Sequence, residues 1–268
     1  MPGNTPHTAI ARSSAAHAYG SPSPRPRQAA ATTPPYSLAQ VLGETGPLLL
    51  DFDGPVCALY AAVPAATVAE RLCQALTDHG FTLPRHIADE PDALAVLRHT
   101  VTFGNPKLTA RVDDELRRAE RHAIDSAAPT RYAREIIVAA HHAGRPLAIV
   151  SNNAESAIRA YLTAHRLARY IDHIVGRPHG DPGGMKPNPA PVHAALTALA
   201  AQPSECALIG DSTSDITAGH AAGVRTIGYA NKPGKYRRLT AAGADAVADG
   251  APDFAHLARL LHNEADPI

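Results

Sequence analysis

Apolar residues alternate along this chain between short unbroken runs and stripes at helical spacing. The unbroken runs predict strands at about 47–51 (PLLLD), 147–151 (LAIVS) and 206–210 (CALIG), with a short one near 173–175. VRTIGYA (224–230) adds a strand and ADAVADG (244–250) a weak last one. Runs without polar alternation fit parallel strands covered on both faces. Between them the period becomes helical. AATVAERLCQALTDH (65–79) puts Val68, Leu72, Ala75 and Leu76 on one face, and the helical pattern continues through about 127. Further helices are expected over 131–144, closed by Gly144, over 154–166, over 189–200, over 215–223, ended by Gly223, and over 254–264.

Strand–helix alternation from 145 to 262, with one earlier strand at 47–51, predicts an α/β fold: a doubly wound, Rossmann-like parallel sheet. The stretch 60–128 interrupts the alternation and reads as an inserted α-helical cap, which leaves 36–59 and 129–268 for the core. Residues 1–35 read as a disordered tail. Ala, Ser, Pro, Arg and His dominate it, and the first acidic residue of the chain is Glu44. An acid-free, Arg- and Ser-rich leader also resembles an organelle transit peptide, but the tail reading is preferred, and the lack of an apolar h-region argues against a secretory signal.

Composition narrows the function. Lysine plus arginine equals aspartate plus glutamate at 25 each, which argues against nucleic-acid or membrane-surface partners. Cys57, Cys73 and Cys206 are widely spaced and form no CxxC, as suits reduced thiols in a cytoplasm.

Ligands of open parallel sheets bind at the carboxyl ends of the strands. Asp51 and Asp53 follow the first strand, Ser151 and Asn152 the second, and Asp211 and Asp215 the strand at 206–210. The strand near 173–175 leads through GDPGGMKPNP to Lys186. Each group alone could be a turn, a helix cap or an exposed lysine. Together they are expected to meet on one rim. Crowded carboxylates need a cation among them, and oxygens from Asp51, the Asp53 main-chain carbonyl and Asp211 suit Mg²⁺. A phosphate beside it would be neutralised by Lys186, the Ser151 hydroxyl and main-chain N–H groups.

DFDGPV, the serine of IVSNN, the lysine of GGMKPNP and GDSTSD, in that order, resemble the four motifs of the haloacid dehalogenase superfamily over about 36–264, and the helical insertion resembles the cap of its subfamily I. The resemblance implies a Mg²⁺-dependent phosphatase acting on a small phosphorylated metabolite, as monomer or homodimer. Asp51 would be the nucleophile and form an aspartyl-phosphate. Asp53 would protonate the leaving oxygen and then activate water. Ser151 and Lys186 would hold the phosphoryl group, with Asn152 as a further phosphate or substrate contact. Asp51, Asp53 and Asp211 would hold the metal, and Asp215 would stand behind them, orienting water or Lys186.

Pro55 departs from the Thr or Val usual in the first motif and removes an N–H from its turn. Three alternatives stay open: a phosphomutase, a phosphonate hydrolase, or a catalytically weak domain binding a ligand or partner. The phosphonate reading needs a cap lysine, and Lys107 sits in GNPKL (104–108), which reads as a loop. The basic stretch KPGKYRRL (232–239) reads as a solvated helix start, or else as a cluster near the rim.

Overall fold

The computed structural model describes residues 33–265, so nearly all of the expected tail lies outside the described residues. Strand β1 (Leu48–Leu50) is buried on both sides, which explains its lack of polar alternation. It lies at the centre of a six-stranded parallel sheet with β4 (Leu147–Val150), β5 (His173–Val175), β6 (Ala207–Gly210), β7 (Arg225–Tyr229) and β8 (Ala246–Ala248), in the order β5-β4-β1-β6-β7-β8. Leu50 is in register with Ile149 on one side and Ile209 on the other. Asp51, Ser151 and Asp211 therefore leave the sheet within one residue step of each other.

Successive β1 side chains feed opposite layers. Leu48 and Leu50 pack with Ile136 and Ile137 of α6 (Ala133–His142), Ile158 of α7 (Glu155–Ala164) and Leu257 of α11 (Gly250–Ala265). Leu49 packs with Val192 and Leu196 of α8 (Ala190–Ala198) and Ala218 of α9 (Thr213–Ala221). The helix α10 (Lys235–Ala241) precedes β8. Near the start, α1 (Leu38–Gly43) was not expected. A reciprocal capping box between Ser37 and Gln40 opens it.

The cap comprises α2 (Ala65–Asp78), α3 (Arg85–Ala88), α4 (Ala93–His99) and α5 (Pro106–Ala123). Its own apolar cluster joins Val68, Leu72 and Leu76 to Val96, Leu97, Val112 and Leu116, and it also takes in Met185 from the loop after β5. A two-residue antiparallel ribbon, β2 (Cys57–Ala58) with β3 (Ala128–Pro129), closes the junction with the core. The loop expected at GNPKL is instead a helix start. Gly104 is left-handed, the Asn105 side chain accepts from the Leu108 N–H, and Pro106 is the first helical residue.

Candidate active site

Asp51 begins where β1 ends, its N–H donating to the Ile209 carbonyl at 2.9 Å and its carboxylate buried. The turn after it closes through N–H groups of Gly54, donating to Cys57 O, and of Val56 and Cys57, donating to Phe52 O. The Thr130 hydroxyl donates to the Gly54 carbonyl at 2.5 Å. Pro55 therefore withholds an N–H that this turn does not use. Gly54 is required twice over. Its φ is +121°, and a Cβ there would stand 2.4 Å from the Asp211 carboxyl carbon.

Lys186 is not the exposed lysine that its sequence position permits, being 1% accessible. Its Nζ lies 3.0 Å from Asp51 Oδ1 and 2.5 Å from Asp215 Oδ1, and donates to the Val150 carbonyl at 2.6 Å. Its main chain is held by Asn152, whose Oδ1 accepts the Lys186 N–H at 2.8 Å and whose Nδ2 donates to the Lys186 carbonyl at 3.0 Å. Both ends of the Asn152 amide thus bond the Lys186 main chain, and Asn152, expected from the sequence as a phosphate or substrate contact, also lines the cleft. Ser151 is buried and donates from Oγ to Asn153 Oδ1 at 3.0 Å.

Asp215 serves two purposes. With Ser212 it forms the capping box of α9, its Oδ2 accepting from the Ser212 N–H and hydroxyl, while Oδ1 faces Lys186. Asp211 accepts from Asn231 Nδ2 at 2.9 Å and from the Lys235 ammonium. Lys235 opens α10, so the basic stretch reaches the rim at this residue and is not merely a solvated helix start.

Burial is the main force on the acids. It pushes Asp51 up to about 7, with Lys186 opposing and Asp215 and Asp211 adding. Burial likewise pushes Asp53 up to about 6, against the Leu59 N–H that its side chain accepts at 2.9 Å. For Lys186, burial works against the ammonium, but Asp215 and Asp51 outweigh it and hold the group protonated. A cation fits this chemistry. Oxygens of Asp51, Asp211 and Asp215 lie within 4.8 Å of one another, and hard oxygen donors of this kind match Mg²⁺.

All seven residues singled out from the sequence, Asp51, Asp53, Ser151, Asn152, Lys186, Asp211 and Asp215, line one cleft of about 550 Å³. Its cap side is supplied by Tyr60, Asp92, Arg98 and Glu120, and its core side also presents Arg238. The sequence reading missed Asn153, Glu120, Arg98 and Arg177. Arg177, fully buried, bonds both carboxylates of a pair on α5, Asp113 and Glu120. Those acids stand seven residues apart on the buried stripe that carries Leu116 and Ala123, and polar residues repeated on an apolar stripe were the available signal.

The profile described as haloacid dehalogenase-like hydrolase matches residues 98–229. Pyrophosphatase PpaX of Anoxybacillus flavithermus is 30% identical over 162 residues, 59% of this chain and 69% of that protein. The chain belongs to the haloacid dehalogenase-like hydrolases. A phosphoglycolate phosphatase of Vibrio vulnificus (strain YJ016) is 29% identical over 80% of this chain and 93% of its own length. Two further relatives are matched over only 38% and 48% of their lengths. Among solved structures, β-phosphoglucomutase from Clostridium difficile superposes with a TM-score of 0.61 at 17% identity, covering 82% of this chain and 98% of that one, a likeness of fold. The family match begins in the cap, at α4, and ends with β7. It therefore includes Ser151, Lys186, Asp211 and Asp215, while Asp51 and Asp53 precede it.

Proposed function

We propose that this hydrolase is a Mg²⁺-dependent phosphatase of a small phosphorylated compound, working through an aspartyl-phosphate on Asp51. The observation that carries the reading is the Asp51 carboxylate held 3.0 Å from a buried lysine, with a second carboxyl two residues on. Asp51 attacks phosphorus, and the leaving oxygen takes a proton from Asp53. Asp53, now ionised, removes a proton from the water that cleaves the acyl-phosphate, so one carboxyl serves both halves. A carboxyl raised to about 6 is suited to exchanging protons near neutrality. Lys186 and the Ser151 hydroxyl oppose the charge on the transferring group. Asp51, the Asp53 carbonyl and Asp211 would hold Mg²⁺, with Asp215 behind them; when bound, the ion neutralises phosphate and lets the acids stay ionised together.

Relatives named for phosphoglycolate and for pyrophosphate act on compounds with a second anionic group beside the phosphate. Arg98, whose guanidinium donates to the Lys186 carbonyl at 3.3 Å, and Arg238 add positive charge to this cleft beyond that of the Lys186 ammonium, which supports an anionic leaving group. The phosphonate-hydrolase alternative loses its lysine. Lys107 is exposed on the first turn of α5, and no cap lysine lines the cleft among the described residues. Phosphate release should be measured from p-nitrophenyl phosphate, phosphoglycolate and pyrophosphate, with Mg²⁺ or with EDTA. Release that requires Mg²⁺ is expected. Tight ligand binding with no turnover on any phosphate compound would favour the alternative of a binding domain.

A further inference from the structure

At the cap wall of the cleft, where Glu120 lines it, lies a set of charges that the proposed chemistry does not use. Arg177, Asp113 and Glu120 have side chains 0%, 1% and 0% accessible. Arg177 Nε donates to Asp113 Oδ1 at 2.8 Å, and its two terminal nitrogens donate to the two oxygens of Glu120 at 2.8 and 3.2 Å. Burying three ions is a poor route to stability, because desolvation offsets most of the attraction. What the set touches explains it better.

Two of the three, Arg177 and Glu120, end on the loop that carries Ser151. Arg177 donates to the Asn152 carbonyl at 2.7 Å, and Glu120 accepts from Asn153 Nδ2 at 3.1 Å and from the Ala154 N–H at 2.9 Å. An ionised carboxylate only accepts, so Asn153 must turn its Nδ2 to Glu120 and its Oδ1 to the Ser151 hydroxyl. The Asn153 N–H returns to the same hydroxyl at 3.3 Å. The Asn152 unit that Arg177 grips carries the amide clamping the Lys186 main chain.

The segment leading to Lys186 is fastened to the same helix. Arg117 of α5 donates to the Arg177 carbonyl at 2.7 Å, the Gly180 N–H donates to Asp113 Oδ2 at 2.8 Å, and Met185 is buried in the cap's apolar cluster.

We propose that Arg177 and Glu120 are positioning residues: they seat cap helix α5 on the Ser151–Ala154 loop and thereby fix the two groups, Ser151 Oγ and Lys186 Nζ, that would hold the phosphoryl group. The proposal rests on the phosphatase reading for its catalytic consequence, though not for its structural one.

Hydrogen exchange by mass spectrometry on the full-length chain separates the two. In Arg177→Met, peptides covering 150–156 and 183–188 should exchange at least about tenfold faster, while those covering 65–78 and 225–229 keep their wild-type rates. Turnover of p-nitrophenyl phosphate should fall about 10- to 100-fold in kcat, the range for residues that orient catalytic groups, with KM changed far less. Arg177→Lys, which keeps the charge but loses the fork, should recover only part of kcat. Glu120→Gln tests the same contact if Arg177→Met does not fold, since a glutamine can donate to Asn153 and frees its amide to turn. Faster exchange spread over the whole chain, or unchanged exchange in both active-site peptides, overturns the proposal. A wild-type protein without phosphatase turnover overturns the phosphatase reading instead and leaves the exchange result standing.

Discussion

At the scale of single residues, the site is a problem of like charges gathered in a dry place. Asp51 and Asp53 stand at about 7 and 6 against an ordinary 3.8, chiefly because burial penalises their ionised forms. Between pH 4 and 7 the metal-free folded protein therefore holds protons that the unfolded chain has released. These two groups favour the fold most below about pH 4, and that contribution is lost as pH climbs through 6 and 7. A divalent cation held by the Asp51 side chain binds its ionised form. Mg²⁺ should accordingly raise the melting temperature more at pH 8 than at pH 5.5, in a thermal-shift experiment run with and without EDTA; equal shifts would contradict the raised carboxyls. Lys235 bears on the same point, since its ammonium rests on Asp211. Lys235→Met should tighten Mg²⁺ binding, measured by calorimetry, by up to about fivefold, corresponding to an ion pair worth about 1 kcal/mol. Weaker binding would mean that Lys235 holds Asp211 in its ligating position. The acids at strand ends were legible in the sequence because they break apolar runs. Arg177 was not, because it lies in an irregular stretch after β5 whose course one sequence does not reveal, and Lys235 was legible only as part of a basic stretch that could be a solvated helix start or a cluster near the rim.

At the scale of elements, the strands of the sheet were readable because parallel strands buried on both faces announce themselves as unbroken apolar runs, LLL at β1 and LAIV at β4. The β2–β3 ribbon was not, since two residues a side carry no period and Cys57 and Pro129 meet only through the fold. The start of α5 carried a signal that went unused: Asn105 followed by Pro106 is a cap followed by a first-turn proline. Asn105→Ala should lower stability by about 0.5–2 kcal/mol, the usual cost of losing such a cap, as read by urea unfolding followed by circular dichroism. No loss would mean that the asparagine side chain does not cap the helix in solution.

At the scale of the whole molecule, equal numbers of acidic and basic residues conceal a local cluster of carboxylates at one sheet edge, and that edge is where the proposed chemistry lies. Strand order places β1 between β4 and β6, so residues about 100 and 160 positions from Asp51 in sequence, Ser151 and Asp211, become its neighbours. The alternation of elements made this edge foreseeable. The docking of α5 on the loops was not, because it depends on tertiary contacts of Arg177 with two helix acids. No described helix is long and apolar enough to cross a membrane. The central claim is that Asp51 is the nucleophile, and Asp51→Asn tests it most directly. The variant should keep the wild-type circular dichroism spectrum and release no phosphate above background from a substrate that the wild type hydrolyses with Mg²⁺; release at the wild-type rate would contradict the account.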